Sequence, residues 1–500
     1  MVALQICGAD WPQYHGPNGD GSTPETIRTN WQSNPPKQLW RKPIGPGWSS
    51  ISVAGDRLYT QVRRTNALNQ VREFCVALDA NTGEQIWSRD VDSGLYTDLS
   101  GYDDQIDGPR STPTIDGDRV YILGSYLHLW CLRADNGEPI WHRDFMGELG
   151  SSIIPWENAA SPLLVGDLIF LNASVAGKSL MAVRKSDGVT AFSSQSDGLT
   201  HATPIYATIA DVPQVIYLTR QGLVAIAPTD GRVLWRLPFA PSTTSTAASP
   251  SVSGEYVHAS ANYGSGTWVA RVTSDGAALT ATQAARQQGV NYQLHWSTPV
   301  EHNGFFYCNP SPSAFQARLS CFDPVGGTNR WSRSQIGSAA INFGSVIKAK
   351  DTLVVLTEGG ELVLVATNPN AYTEIAKFQT LSSYCWNRPV ISNGRLYARN
   401  SSLNSEIVSL DVSIAVAFPN FNIGAEVTPD GSRLKLTLRA VNGAFDSAHI
   451  TRVEVLTATE LQTTWIPLTQ TFTLADGALV TEISIATELT RYFTAREKAP

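Results

Sequence analysis

Ala77-Leu-Asp-Ala-Asn-Thr-Gly-Glu-Gln-Ile-Trp87 reads as strand, turn, strand. Asp79 and Thr82 offer side-chain oxygens to a tight turn, Gly83 takes the positive φ such a turn needs, and Trp87 gives the second strand a large apolar anchor. The phrase returns in degraded form along the sequence. Aligned on Trp87, it predicts equivalent positions at Trp40, Trp87, Trp141, Phe192, Trp235, Thr280, Trp331 and Phe378, about 48 residues apart on average, which is the period of a four-stranded propeller blade.

Each period carries the same internal order. A small-residue strand with Pro or Ser comes first, as in Ser111-Thr-Pro-Thr-Ile115, Ala202-Thr-Pro-Ile205 and Ser297-Thr-Pro-Val300. A Gly-Asp or Asn-Gly turn then leads into a β-branched and aromatic strand, for example Gly117-Asp118 before Arg119-Val-Tyr121, because those residues tolerate the left-handed φ of a two-residue hairpin. A third strand, the Asp/Thr/Gly turn and the Trp strand complete the unit.

The ends of the series complement each other. Residues 37–42 supply a Trp strand without three strands before it, and residues 389–411 supply three strands without a Trp strand after them. Seven full periods and one split one predict an all-β protein whose eight-bladed β-propeller is closed by an N-terminal strand. The expected boundaries are residues 1–9 as a signal-peptide remnant, 10–36 as a lead-in, 37–413 as the propeller and 414–500 as a small β-sandwich. The last expectation rests on plain alternation, clearest in Arg433-Leu-Lys-Leu-Thr-Leu-Arg439. In the lead-in, Trp11 is expected to act as an apolar plug against the propeller.

With 500 residues, 42% of them hydrophobic, there is ample material for a core, and a net charge of -7 argues against binding nucleic acid through its phosphates. No stretch reaches the roughly 20 apolar residues of a membrane helix. Ala3-Leu-Gln-Ile-Cys-Gly-Ala9 before Asp10-Trp11 reads as the tail of an export signal, with Cys7 a poor lipid acceptor because Ile6 precedes it. Cys308 and Cys321 fall on neighbouring strands, either paired or as buried thiols.

The sequence resembles the PQQ-like β-propeller family, whose phrase Ala-x-Asp-x-x-Thr-Gly-x-x-x-Trp is matched in full by residues 77–87 and in part by 131–141, 182–192, 225–235 and 321–331. Its opening Trp11-Pro-Gln-Tyr-His-Gly-Pro17 is similar to that of secreted bacterial members. The closing Trp465-Ile-Pro-Leu468 and Arg491-Tyr-Phe493 are similar, more weakly, to the accessory sandwiches that end many exported bacterial proteins. The resemblance implies a fold rather than an activity, since the family holds both quinoprotein dehydrogenases and non-catalytic scaffolds. A dehydrogenase would need PQQ, calcium, ligands for that ion and, in this family, two adjacent cysteines. The sequence has no adjacent cysteine pair and no long insertions between repeats, so no cofactor and no metal are expected, with a PQQ- and calcium-dependent oxidoreductase as the alternative.

The positions just before the first strand of each repeat are Trp48, Arg110, Ala159, His201, Ala247, Trp296, Asn342 and Trp386, flanked by Glu157, Asn158, His295, Asn387 and Arg388. Equivalent modules place them together on one face around the central channel. Such a face suits a sugar, a peptide segment or a flat cofactor, and the same residues also read as packing that fills the channel mouth. The binding set is therefore Trp48, Arg110, Glu157, Asn158, His201, His295, Trp296, Asn342, Trp386 and Arg388. The expected protein is an exported, monomeric, non-catalytic scaffold binding an envelope protein or glycan. His201 and His295 are read as structural, and the acidic loop of Asp90, Asp92, Asp98, Asp103, Asp104 and Asp107 as solvated.

Overall fold

The computed structural model describes residues 10–96, 106–241, 246–311, 317–382, 384–402, 404–414, 421–441, 444–445, 449–450, 453–458, 466–468, 471–484 and 492–497. The proposed signal remnant with Cys7, and Asp98, Asp103, Asp104, Trp465 and Arg491, lie outside them. The protein forms two compact units, with residues 8–413 in the larger and 414–500 in the smaller.

In the larger unit the described residues form seven four-stranded antiparallel sheets and one more of the same kind to which Ser22–Thr23 adds a fifth, parallel strand. Their first strands are Ser52–Ala54, Thr114–Asp116, Leu163–Val165, Ile205–Ile209, Ser251–Ser253, Val300–His302, Ser345–Ala349 and Val390–Ser392. Lys37–Pro43 lies antiparallel to Glu406–Asp411 and supplies the outer strand of the eighth sheet.

Where it is complete, the Trp phrase fastens one sheet to the next. Trp87 sits opposite Ala77, and a bulge there turns Ile86 outward. The Trp87 indole N–H donates to Ala134 O at 3.0 Å in the following sheet, whose turn residue Gly137 packs on the ring; a Cβ on that glycine would stand 2.6 Å from it. Trp40 repeats the geometry between the two ends of the propeller, donating to Ala80 O at 2.9 Å beneath Gly83, whose φ is 72°. Trp141 donates to Lys185 O and Trp331 to Asn368 O in the same way.

Two of the predicted anchors are displaced. The bulge register places Ala285, not Thr280, and Ala376, not Phe378, at the Trp87 position. These two sheets lack the aromatic residue, and a loop of unequal length before the outer strand shifts the sequence count away from the pairing register.

The small first strands also have a physical reason. Ser and Thr hydroxyls accept backbone N–H groups from the neighbouring sheet: Ser50 N donates to Thr112 Oγ1 at 3.1 Å, Thr112 N to Ser161 Oγ at 2.9 Å, Ser161 N to Thr203 Oγ1 at 3.0 Å and Ser249 N to Thr298 Oγ1 at 2.9 Å. Arg388 N donates to Ser50 Oγ at 3.0 Å, which joins the eighth sheet to the first. The buried Arg399 spans the same junction, donating to Thr60 Oγ1, Gln61 O and Gly45 O at 2.8 to 2.9 Å. Burial pulls its guanidinium down to about 9. Apolar clusters fill the spaces between successive sheets. Cys308 and Cys321 are buried free thiols.

The lead-in occupies the centre. Trp11 is fully buried and exchanges backbone hydrogen bonds with Val53, Ile115 N donates to Pro12 O, and Ser22–Thr23 run parallel to Lys348 and Ala349. The segment thus touches the first strands of the first, second and seventh sheets, while Gly21 lies against Val300 and Arg388 of the sixth and eighth. In the smaller unit, the sheets Phe421–Val427, Arg433–Ala440, Ala478–Ser484, Thr473–Ala475 and Ile466–Leu468, Val453–Ala458, Tyr492–Glu497 share one apolar cluster that includes Leu436, Leu438, Val455 and Leu479.

Candidate functional site: an aromatic bowl at the mouth of the channel

A cavity of about 210 Å3 opens where the backbone enters the first strands of the sheets. Trp48, Arg110, His201, His295, Trp296, Trp386 and Arg388 of the predicted set line it, together with Tyr14, Asp107, Trp156, Tyr263 and Phe343. One half is aromatic: Trp48 stacks on Trp386 with centroids 4.4 Å apart, Trp386 meets Trp296 at 4.9 Å, and Trp296 meets Phe343 at 4.5 Å. The other half is polar. Asp107 accepts Arg110 Nη2 through both oxygens at 2.9 and 3.1 Å, and accepts the Trp48 indole N–H at 2.8 Å. Ala159 and Ala247 leave that side open.

Three predicted residues do not line the cavity. Glu157 is fully buried behind Arg110, 4.0 Å from its guanidinium. Asn158 spends its side chain on Gly124 O and Ala160 O, shaping the turn into the third sheet. Asn342 takes a φ of 47° and turns the backbone so that its neighbour Phe343 fills the position instead. Conversely, Asp107 belongs to the loop read as solvated, yet is only 2% exposed because Arg110 and Trp48 both bind it. Trp156, Tyr263 and Tyr14 are also missed by sequence reasoning, Tyr14 because nothing in its local pattern indicates that the lead-in reaches the bowl floor.

Both histidines are neutral imidazoles at ordinary pH. Burial, with Arg110 adding repulsion, brings His201 down to about 4, and burial with the nearby His201 brings His295 to about 3. His201 Nε2 meets Pro155 O at 3.1 Å and His295 Nε2 meets Tyr263 Oη at 3.3 Å, so each has a structural partner.

The residues do not fit a calcium-bound quinone. Trp48 and Trp386 face each other without a slot for a planar ring between them, and Asp107 is committed to Arg110 and Trp48. Among the described residues no group of three or more His, Cys, Asp or Glu is placed to hold a metal ion.

Beside the bowl lies a buried acidic pair. Glu73 and Asp92 stand opposite each other on adjacent strands, Glu73 accepting from Ser125 Oγ, Ser125 N and Tyr96 Oη, Asp92 from Tyr126 N and Ser93 N. Burial raises both carboxyls, and the charge of Asp92 raises Glu73 further, to about 8. The folded protein therefore holds protons that the unfolded polypeptide releases near pH 4, so this pair's stabilisation is fully present below that range and is lost as pH rises towards about 8. Urea denaturation from pH 5 to 8 is expected to show a loss of stability that Glu73→Gln with Asp92→Asn largely abolishes. An unchanged slope in the double variant contradicts this reading.

Comparison with known proteins gives the family. The one described as outer membrane protein assembly factor BamB matches residues 31–122 and 72–314. An outer membrane protein assembly factor BamB from Moranella endobia is 24% identical over 345 residues, 66% of this chain and 83% of that protein. The crystal structure of BamB from Moraxella catarrhalis superposes with a TM-score of 0.50 at 14% identity, covering 77% of this chain and 99% of that one, and shows the fold to be a β-propeller. A quinohemoprotein alcohol dehydrogenase from Comamonas testosteroni aligns at 0.49 and 12% identity, over 84% of this chain and 83% of its own.

Proposed function

This chain belongs to the family of the outer membrane protein assembly factor BamB, and from that premise we propose an exported, non-catalytic scaffold that docks a protein partner in the cell envelope. The docking surface is the bowl face of an eight-bladed propeller, the smaller unit is an accessory β-sandwich, and the protein acts as a monomer without PQQ, calcium or another metal. One observation carries the reading: an open bowl rimmed by half-exposed aromatic side chains, whose polar groups Asp107, Arg110 and Trp48 are paired with each other rather than poised for a reaction. Aromatic residues and Arg in a concave setting are the usual anchors of protein recognition. No helix among the described residues is long and apolar enough to cross a membrane.

A photo-crosslinking residue at Tyr384, which is exposed beside Trp386, tests the proposal against the same residue at Val325, exposed in the Asp323–Thr328 turn at the opposite end of the strands. In envelope fractions of cells carrying the full-length gene, Tyr384 should yield a discrete adduct with one protein, identified by mass, and Val325 should not. The same pattern from both positions, or recovery only in the cytosolic fraction, removes the proposal.

A further inference from the structure

The polar atoms inside the bowl are distributed unevenly. Arg110 is neutralised by Asp107. Arg388 is only 3% exposed and forms no ion pair with any described Asp or Glu; its Nη2 donates to Thr298 O at 3.1 Å, its guanidinium lies 5.2 Å from the Tyr14 ring centre, and Nη1 has no hydrogen-bond partner. Two further wall residues, Ser297 at 5% exposure and His295 at 9%, also leave Oγ and Nδ1 without partners. A buried cation without a counter-charge is costly, and so are buried polar groups without partners, unless something enters the site to satisfy them. These three residues line the same cavity, and the indole faces of Trp296 and Trp386 stand beside them.

We propose that the cavity binds an acidic sugar ring, a pyranose bearing a carboxylate, with the carboxylate on Arg388, ring hydroxyls on Ser297 and His295, and the C–H face of the ring against Trp296 and Trp386. Each part of the ligand answers one feature of the wall. The carboxylate supplies the missing counter-charge through a charge-assisted hydrogen bond. Several hydroxyls in fixed directions satisfy scattered donors and acceptors, which a single apolar side chain of a docked protein would leave unpaired. A saturated ring with one apolar face presents C–H groups to the aromatic side of the cavity, where Trp296 and Trp386 stand. Tyr14 closes the bottom, so the cavity takes one terminal ring of a glycan rather than a segment passing through.

Saturation-transfer NMR and titration calorimetry on the full-length protein test this with D-glucuronate, D-glucose and D-gluconate, an acyclic acid. Glucuronate is expected to bind with saturation strongest at the protons of one ring face. Glucose, which lacks the charge, and gluconate, which lacks the ring, should each bind at least about tenfold more weakly, the loss expected for one charged hydrogen bond or one apolar face. Arg388→Gln should lose about tenfold in glucuronate affinity. Ala247→Phe, which fills the cavity from the opposite wall and leaves Arg388 in place, should abolish binding in a protein of unchanged circular dichroism. No saturation transfer to glucuronate, equal affinity for glucose or gluconate, or retained binding in Ala247→Phe overturns the proposal. Loss of the protein adduct at Tyr384 bears on the docking partner alone, so the two readings fail separately.

Discussion

Replacing Trp40 by alanine lowers the unfolding free energy of the larger unit by about 3 to 5 kcal/mol, the range for removing a buried indole from a core that relaxes only in part. Trp40 is 7% exposed, packs under Gly83 of the first sheet, and meets Tyr397 of its own sheet at 6.0 Å. The cost is mainly apolar, because Ala80 O keeps a hydrogen bond from Arg395 Nη1 at 2.9 Å after the indole is gone. Leu39 at the adjacent bulge is 40% exposed, and Leu39→Ala is expected to stay within about 0.5 kcal/mol of the parent. Urea denaturation at one pH compares them. Equal midpoints for the two variants contradict the idea that the N-terminal strand carries the junction between the eighth and first sheets.

Trp11→Ala has a comparable effect, about 3 to 5 kcal/mol, by a different route. Trp11 anchors a segment that makes no sheet of its own: its backbone pairs with Val53, its ring fills the concavity under Gly16, and the segment then reaches Tyr14 and His15 before returning along Lys348. Gly16 has a φ of 77° and a Cβ there would stand 3.0 Å from the indole, so ring and turn hold each other. Without the indole the segment loosens, and the Val53 and Ile115 amides, which donate to Trp11 O and Pro12 O, lose protection. Hydrogen exchange should speed up at those two amides while that of Val215 and Val224, within the fourth sheet, remains slow. Unchanged exchange at Val53 and Ile115 means the segment does not secure the centre.

The repeat is legible in the sequence because its chemistry is local: the Asp79 turn, the positive φ of Gly83 and the ring of Trp87 lie within a few residues of one another. The small Ser- and Pro-containing strands are legible for the same reason, although their role in joining sheets by hydroxyl groups involves partners about 50 residues away. Register and long-range placement are not legible in this way. Spacing alone assigns Thr280 and Phe378, and a variable loop before a bulge moves spacing without moving pairing. Asn342 and Phe343 differ by one residue, enough to exchange a turn for an aromatic wall. Asp107 looks like any acidic loop residue until Arg110 and Trp48 are seen to converge on it, and Glu157 looks like a rim residue until burial places it behind the wall.

The missing anchor between the fifth and sixth sheets also bears on how the molecule responds to acid. There Gly327 rests on Ala285, a methyl group in place of an indole, and among the described residues no indole N–H crosses that boundary as it does at Trp87. The space is shared by Phe306, Phe322 and a fully buried His258, which burial holds neutral by lowering it to about 3. As pH falls below the ordinary imidazole value of about 6.5, an unfolded His258 takes up a proton that the buried ring does not, so acid draws stability from that boundary.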